Sequence, residues 1–453
     1  MTLVLAFVIL LTIPVFITLL RGHEHRRLWA FSAIAASPFC SGLPVLGYLY
    51  GWPTWSGTTL GIAVALADVL AIALISTRRR VSLKTPFWVL FAFYGFTLFL
   101  SIFTSSLWIG TIFTWWQFAR MLLLFSAITG EAHRTNVQKH IVIGFAIGFA
   151  YQAGNVILQK IAGDVQASGT FASQNILGLA IELALPVVVG YMIAGYRHPL
   201  LNLGVIAALI CIAGSGSRAT TALCAMAIFL LLTLSMIRRL TPQKIRIATF
   251  ALAGLAVASP FAIATLNSRF EGGTFFTEEI TRTALETTAK TMASEYPIGV
   301  GANQFVIVAN QGGYNERAGL SWRMEDRSKP VHNAYLLARA ETGWLGEITF
   351  IAMLAVPMLF AFRLAFGNRK SRSGEVALGC GVGLMINMLH NHYEYAVHTG
   401  VVLSLVFINF GIIAALWRVE KGRKRKPLRR PSTRREAMAD DGRVPEPVAL
   451  RST

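Results

Sequence analysis

Apolar runs of about 20 residues, separated by short polar or basic connections, recur from Met1 to Trp417. Wound as a helix, such a run crosses a hydrocarbon core about 30 Å thick, and helices satisfy the backbone along it where water is absent. The pattern predicts about 12 to 14 transmembrane helices. Thirteen are traced directly, at residues 2–20, 28–50, 57–76, 86–104, 106–128, 140–161, 173–195, 199–214, 219–237, 245–266, 334–362, 375–397 and 398–418. The run at 28–50 is punctuated by Pro38, Gly42, Pro44 and Gly47, which can split it into a short re-entrant pair. The expected fold is therefore an all-α polytopic membrane protein with no internal repeat.

One polar island interrupts the pattern. Residues 267–333 form a long loop between an N-terminal set of spans (1–266) and a C-terminal set (334–418). Within it, Glu278 to Tyr296 has a helical period, with Ile280, Ala284, Thr288, Met292 and Tyr296 on one face and Pro297 as its stop. Glu278 and Glu279 suit that helix's N-terminal dipole. The glycine turn PIGVGANQF follows, and the island ends at KPVHNAYLLARAETGWLGE, where Asn333 is a candidate N-cap for the next span.

Composition strengthens the membrane reading: 54% of the residues are hydrophobic and 14% charged, where soluble domains carry about 25% charged residues. The net charge of +19 does not point to nucleic acid, because much of it sits in short connections. Those at Arg21 to Arg27, Arg78 to Lys84, His133 to Lys139, Arg197, Arg238 to Arg246 and Arg363 to Arg372, together with the tail after Arg418, all fall on one side of a single threading, which makes that side cytoplasmic. Residues 267–333 fall on the other side, with seven Lys or Arg and eight Asp or Glu. The tail, residues 419–453, is basic, contains proline and is expected to be disordered. The first apolar run has no small-residue cleavage site before Arg21 and reads as an uncleaved helix. Cys40, Cys211, Cys224 and Cys380 stand singly in apolar runs, as small core residues do.

Several polar residues are candidates for chemistry. Arg218, in GSGSRATTAL, begins a span on the non-cytoplasmic side, where it either snorkels to the interface or faces a site left open by the small residues before it. Arg282 projects from the island helix; its alternative role is a surface pair with Glu286, worth about 0.2–0.5 kcal/mol. His332 stands at the mouth of the next span, and an imidazole with an ordinary pKa of about 6.5 can accept a proton at neutral pH. His390, His392 and His398 cluster near Tyr393 and Glu394, but their spacing fits no tight metal template. Asp68, Arg120, Glu182, Glu347 and Glu394 lie within apolar spans and are expected to face the protein interior. Arg120 either meets a lipid phosphate or pairs with one of these carboxylates.

Three strings together resemble a known family. GTFASQNILGLAIELALP at Gly169 to Pro186, GSGSRATTAL, and RTALETTAKTMASEYPIGVGANQF followed by HNAYLLARAETGWLGE resemble, in order and spacing, the O-antigen ligase and polymerase superfamily. The resemblance covers Gly169 to Gly346. Gln174 stands where the family often has proline before the helix-opening Asn175, and Glu286 where it tends to have tryptophan.

The resemblance implies an integral-membrane glycosyltransferase of the GT-C type, in the bacterial inner membrane with its active site facing the periplasm. Its donor would be a glycan on undecaprenyl diphosphate. For a ligase the acceptor is a sugar hydroxyl of lipid A-core; for a polymerase it is a second lipid-linked glycan. It also implies that Arg218 and Arg282 hold the diphosphate and that His332 is the catalytic base, in an inverting transfer that calls for no metal or other cofactor. Asn175, Asn333, Tyr335 and Arg120 are the expected substrate-binding residues. A membrane transporter would also show many helices and buried charges, but would not explain candidate residues converging on one face.

Overall fold

The computed structural model describes residues 2–78, 84–249 and 274–425, without the side chains of 274–278 and 423–425. In the first third, α1 (Thr2–Leu11), α2 (Ile13–Leu20) and α3 (Glu24–Ala36) lead to a hairpin of β1 (Leu46–Gly51) and β2 (Gly61–Ala65). Then follow α4 (Leu66–Thr77), α5 (Phe87–Leu100), α6 (Trp108–Glu131), α7 (Thr135–Ile161), α8 (Gln174–Ile193), α9 (Pro199–Ser215), α10 (Arg218–Arg238) and α11, helical over residues 242–249. Beyond it come α12 (Thr274–Glu295), α13 (Phe305–Gln311), α14 (Tyr314–Arg317), α15 (Met324–Arg327), α16 (Ala334–Gly367), α17 (Arg372–His390) and α18 (Gly400–Arg425). Among the described residues, seven helices are long and apolar enough to cross a membrane, and α4, α5 and α9 are shorter apolar helices. The chain is a helical membrane protein.

Four expectations are corrected. The fold is not purely α: the expected spans at 28–50 and 57–76 contain β1 and β2, antiparallel with Leu46 opposite Ala65 and Gly51 opposite Gly61. LGYLYG has strand-forming aromatic residues between glycines, so its backbone pairs in a hairpin and does not wind across the bilayer. The span expected at 334–362 is one helix to Gly367, but it breaks at Gly343, which adopts φ 70° and ψ −172°. The island helix buries a stripe shifted from the predicted one: Ala284, Leu285, Thr288, Ala289, Met292 and Ala293 are buried, while Ile280 and Tyr296 are 67% and 44% exposed. Finally, α18 continues to Arg425, past the expected start of the tail. The remainder of the tail, the rest of the span at 245–266, and residues 267–273 of the loop lie outside the described residues.

The main apolar core runs through α3 to α10 and α16 to α18. The island has a second core of its own, in which Leu285, Ala289 and Met292 of α12 meet Val300, Phe305, Val306, Tyr314 and Val331, and Leu337 and Ala340 of α16. The break at Gly343 joins the two. It leaves carbonyls of α16 without helical partners; Val300 N–H donates to the Ala340 carbonyl (3.0 Å) and Gly301 N–H to that of Glu341 (2.8 Å). The PIGVG turn thus docks into the gap. A Cβ on Gly343 would lie 2.5 Å from the Pro297 carbonyl oxygen. Gly343→Ala is therefore expected to destabilise the protein by about 1–3 kcal/mol from the backbone conformation alone, read as a lower thermal midpoint of the solubilised chain. A midpoint equal to wild type would mean that the break is not needed.

The basic connections gather at one end of the bundle. Arg27 pairs with Glu131 and Arg134 with Glu24; Arg78 donates to the Ser126 carbonyl (3.0 Å), and Arg418 to that of Thr129 (3.0 Å). Arg238 and Lys244 both pair with Glu375, and Arg238 also donates to the Ala365 carbonyl (2.6 Å). The starts of α8, α10 and α16 lie at the far ends of their helices from these contacts.

Candidate active site

The starts of α8 and α10 border a cavity of about 160 Å³ lined by Gln166, Gln174, Asn175, Ser217, Arg218, Ala219, Arg282, His390 and Tyr393. Each wall follows from a local rule. Ser217 caps α10, its hydroxyl accepting from Thr220 N–H (3.4 Å), which sets Arg218 at the first helical position. A cation there adds to the positive end of the helix dipole, so the combined field favours an anion. Gly178 lets α8 approach α10 closely: a Cβ on it would fall 2.0 Å from the Thr220 hydroxyl. Arg282 reaches the cavity from α12, and Glu286, its partner in the alternative role, pairs with Lys290 (3.1 Å).

His332 stands beside the cavity and does not line it. Its Nδ1 lies 3.5 Å from Glu394 Oε2, at ion-pair distance but not aligned as a hydrogen bond, and its ring meets the edge of Tyr395 with centroids 5.4 Å apart. The same Glu394 Oε2 accepts from Asn175 Nδ2 (2.7 Å), and Asn175 Oδ1 accepts from the Ser217 hydroxyl (3.3 Å). A continuous polar chain therefore runs from His332 through Glu394 and Asn175 to the turn that carries Arg218. Burial pushes the Glu394 carboxyl up, but His332, Asn175 and the Tyr395 N–H together hold it below the ordinary carboxylate range. A depressed folded-state pKa gives stability that is present above the unfolded value, about 4.3 for glutamate, and lost as pH falls through the folded value. The stability gap between wild type and Glu394→Gln should therefore stay constant from pH 8 to 5 and close only below about 4. A gap that closes between pH 7 and 5 would contradict a permanently charged Glu394.

The other expected site residues have structural work. Asn333 caps α16, accepting from Tyr335 and Leu336 N–H (3.0 Å each), and so fixes the backbone that presents His332. Tyr335 donates its hydroxyl to the Met388 carbonyl (2.7 Å), tying α16 to α17. Arg120 is not brought to the cavity: its Nε donates to Asp68 Oδ2 (2.7 Å), and Asp68 also accepts from Ala65 N–H at the end of the hairpin (2.8 Å). The ion pair, one of its two expected roles, is formed, as a guanidinium in an apolar span needs a polar partner. Asp68, Glu182 and Glu394 are buried, as their place in apolar runs requires, whereas Glu347 is partly exposed, 4.0 Å from Arg339. The four cysteines are free thiols, three of them buried.

The histidine cluster divides. His390 Nδ1 lies 3.0 Å from both Glu182 oxygens, the His392 ring lies tilted against that of Tyr335 with centroids 4.7 Å apart, and His398 Nε2 is 3.1 Å from the Ala334 carbonyl. Only His390 of these three lines the cavity. Its pairing with Glu182, 208 residues earlier, leaves no local spacing signal. The one sequence clue is that both are ionisable groups in apolar spans.

Taken together, these features define a helical membrane protein with two arginines, a histidine and a buried carboxylate gathered around one small cavity. The sequence model of the O-antigen ligase family matches residues 203–351, and that match supports the O-antigen ligase superfamily for this chain. The matched segment contains Arg218, Arg282, His332, Asn333 and Tyr335; Asn175, His390 and Glu394 lie outside it. No curated protein matches the chain.

Proposed function

We propose that the protein is an O-antigen ligase that transfers a glycan from undecaprenyl diphosphate to a sugar hydroxyl of lipid A-core, on the periplasmic face of the bacterial inner membrane. The observation that carries this reading is the convergence of Arg218 and Arg282 on one cavity beside the His332 and Glu394 pair. The acceptor oxygen attacks the anomeric carbon as the bond from that carbon to the diphosphate oxygen breaks, so the configuration inverts. The hydroxyl proton goes to His332. With Nδ1 turned to Glu394, Nε2 is the nitrogen left to accept it, and the carboxylate stabilises the imidazolium that forms. The electron pair of the broken bond stays on the diphosphate, where the guanidinium groups of Arg218 and Arg282 supply fixed positive charge to the phosphate oxygens. That supply makes a metal unnecessary in this scheme.

The topology proposed with it has about thirteen spans, the basic end cytoplasmic and the cavity and island periplasmic. The positive-inside rule supports this orientation, since the basic connections gather at the end opposite the cavity. A deletion strain read on a lipopolysaccharide gel tests the reading. The ligase predicts core without O-antigen and accumulation of lipid-linked polymer. Core bearing a single repeat unit would make the protein a polymerase, and an unchanged ladder would remove both activities.

A further inference from the structure

His390 and Glu182 are the most deeply buried ionisable pair near the cavity, 1% and 0% exposed in their side chains. Both Glu182 oxygens lie 3.0 Å from His390 Nδ1. A buried carboxylate without a proton donor is costly in an apolar span, and a hydrogen on Nδ1 given to Glu182 would meet that cost. His390 lines the cavity with Arg218 and Arg282, and with Nδ1 turned to Glu182 the ring nitrogen left for it is Nε2. The charges of Arg282 and Glu394 both act on His390. A hydrogen given from Nε2 would therefore add a donor to a space that Arg218 and Arg282 already line, and guanidinium and imidazole N–H groups converging on one space suit a phosphate group with several acceptor oxygens.

We propose that His390 is a third donor to the anion held in this cavity, with Nδ1–H bonded to Glu182 and Nε2–H given to a non-bridging oxygen of a diphosphate. Glu182 acts through His390: its charge keeps the imidazolium form available and fixes the plane of the ring. The identity of the anion as the donor lipid's diphosphate rests on the ligase reading; the anion site itself does not. His332 and His390 then divide the work between two carboxylate-backed imidazoles, one for the acceptor's proton and one for the leaving group's charge.

The test is the affinity of the purified full-length chain for inorganic pyrophosphate and for undecaprenyl diphosphate, with thermal midpoints measured alongside. His390→Ala is expected to weaken both by on the order of 10- to 100-fold, the range for a lost hydrogen bond to a charged group. His390→Gln keeps an N–H donor without charge and should lose less. Glu182→Gln, which still accepts from Nδ1 but no longer stabilises the imidazolium, should resemble His390→Gln. If His390→Ala does not fold, His390→Gln and Glu182→Gln carry the test. Wild-type affinity for pyrophosphate in a folded His390 variant would overturn the proposal, since a purely structural pair would change the midpoint and leave affinity alone. A wild-type chain that binds pyrophosphate in a His390-dependent way but transfers no glycan would support the subsite and count against the ligase reading.

Discussion

His332→Ala is expected to lower glycan transfer by about 10²- to 10⁴-fold, the usual contribution of a positioned general base. The loss should fall on kcat, with the donor's KM little changed, because the imidazole takes the proton only as the acceptor attacks. The substitution should leave the fold intact. The ring is partly exposed and contributes to neither apolar core, and the cap that holds the start of α16 is made by Asn333. His332→Gln should be as inactive as the alanine variant, since an amide keeps the shape but cannot accept a proton at neutral pH. Steady-state transfer by the purified variants checks this, and wild-type kcat in His332→Ala would move the base elsewhere, His390 being the next imidazole at the cavity.

Arg282→Ala should cost about 10²- to 10³-fold in kcat, comparable to removing one preorganised donor to a developing negative charge. Arg282 makes no ion pair among the described residues, so the substitution should affect the thermal midpoint far less than the rate. Arg282→Lys restores a point charge but not the planar fork, and partial recovery is the expected result. Arg218→Ala should lower kcat by a similar factor, and the double variant should be less impaired than the product of the two singles, because both groups act on one anion. Independent, multiplicative losses would mean that the two arginines serve different groups. Full activity in Arg282→Ala would leave α12 a purely structural helix.

Much of the frame was legible. The long apolar runs that became α7, α8, α10 and α18 are bounded by basic connections or small polar caps, and their length alone demands a helix in lipid. The hairpin was not, because short apolar runs such as LGYLYG suit a strand and a helix equally until a partner strand is seen. The break in α16 was equally hidden: Gly343 is an ordinary helix glycine until the Pro297 turn arrives from outside to use the freed carbonyls. The site was legible in part. Arg218, Arg282 and His332 could be named from resemblance, but no period in the chain says that α10 and α12 aim at one point. Arg120 shows the reverse case: an arginine in an apolar run signals a buried partner, and only the packing of α4 against α6 says that Asp68 is one. The pairing of His390 with Glu182 needed the structure, since their meeting depends on α8 lying beside α17.

The central claim is the pair of substrates. Purified full-length protein in lipid vesicles, given a glycan on undecaprenyl diphosphate together with lipid A-core, tests it most directly when the products are resolved by gel and mass spectrometry. The account predicts glycan attached to lipid A-core, with free undecaprenyl diphosphate released in equal amount. Lengthened lipid-linked glycan beside unmodified lipid A-core would contradict it.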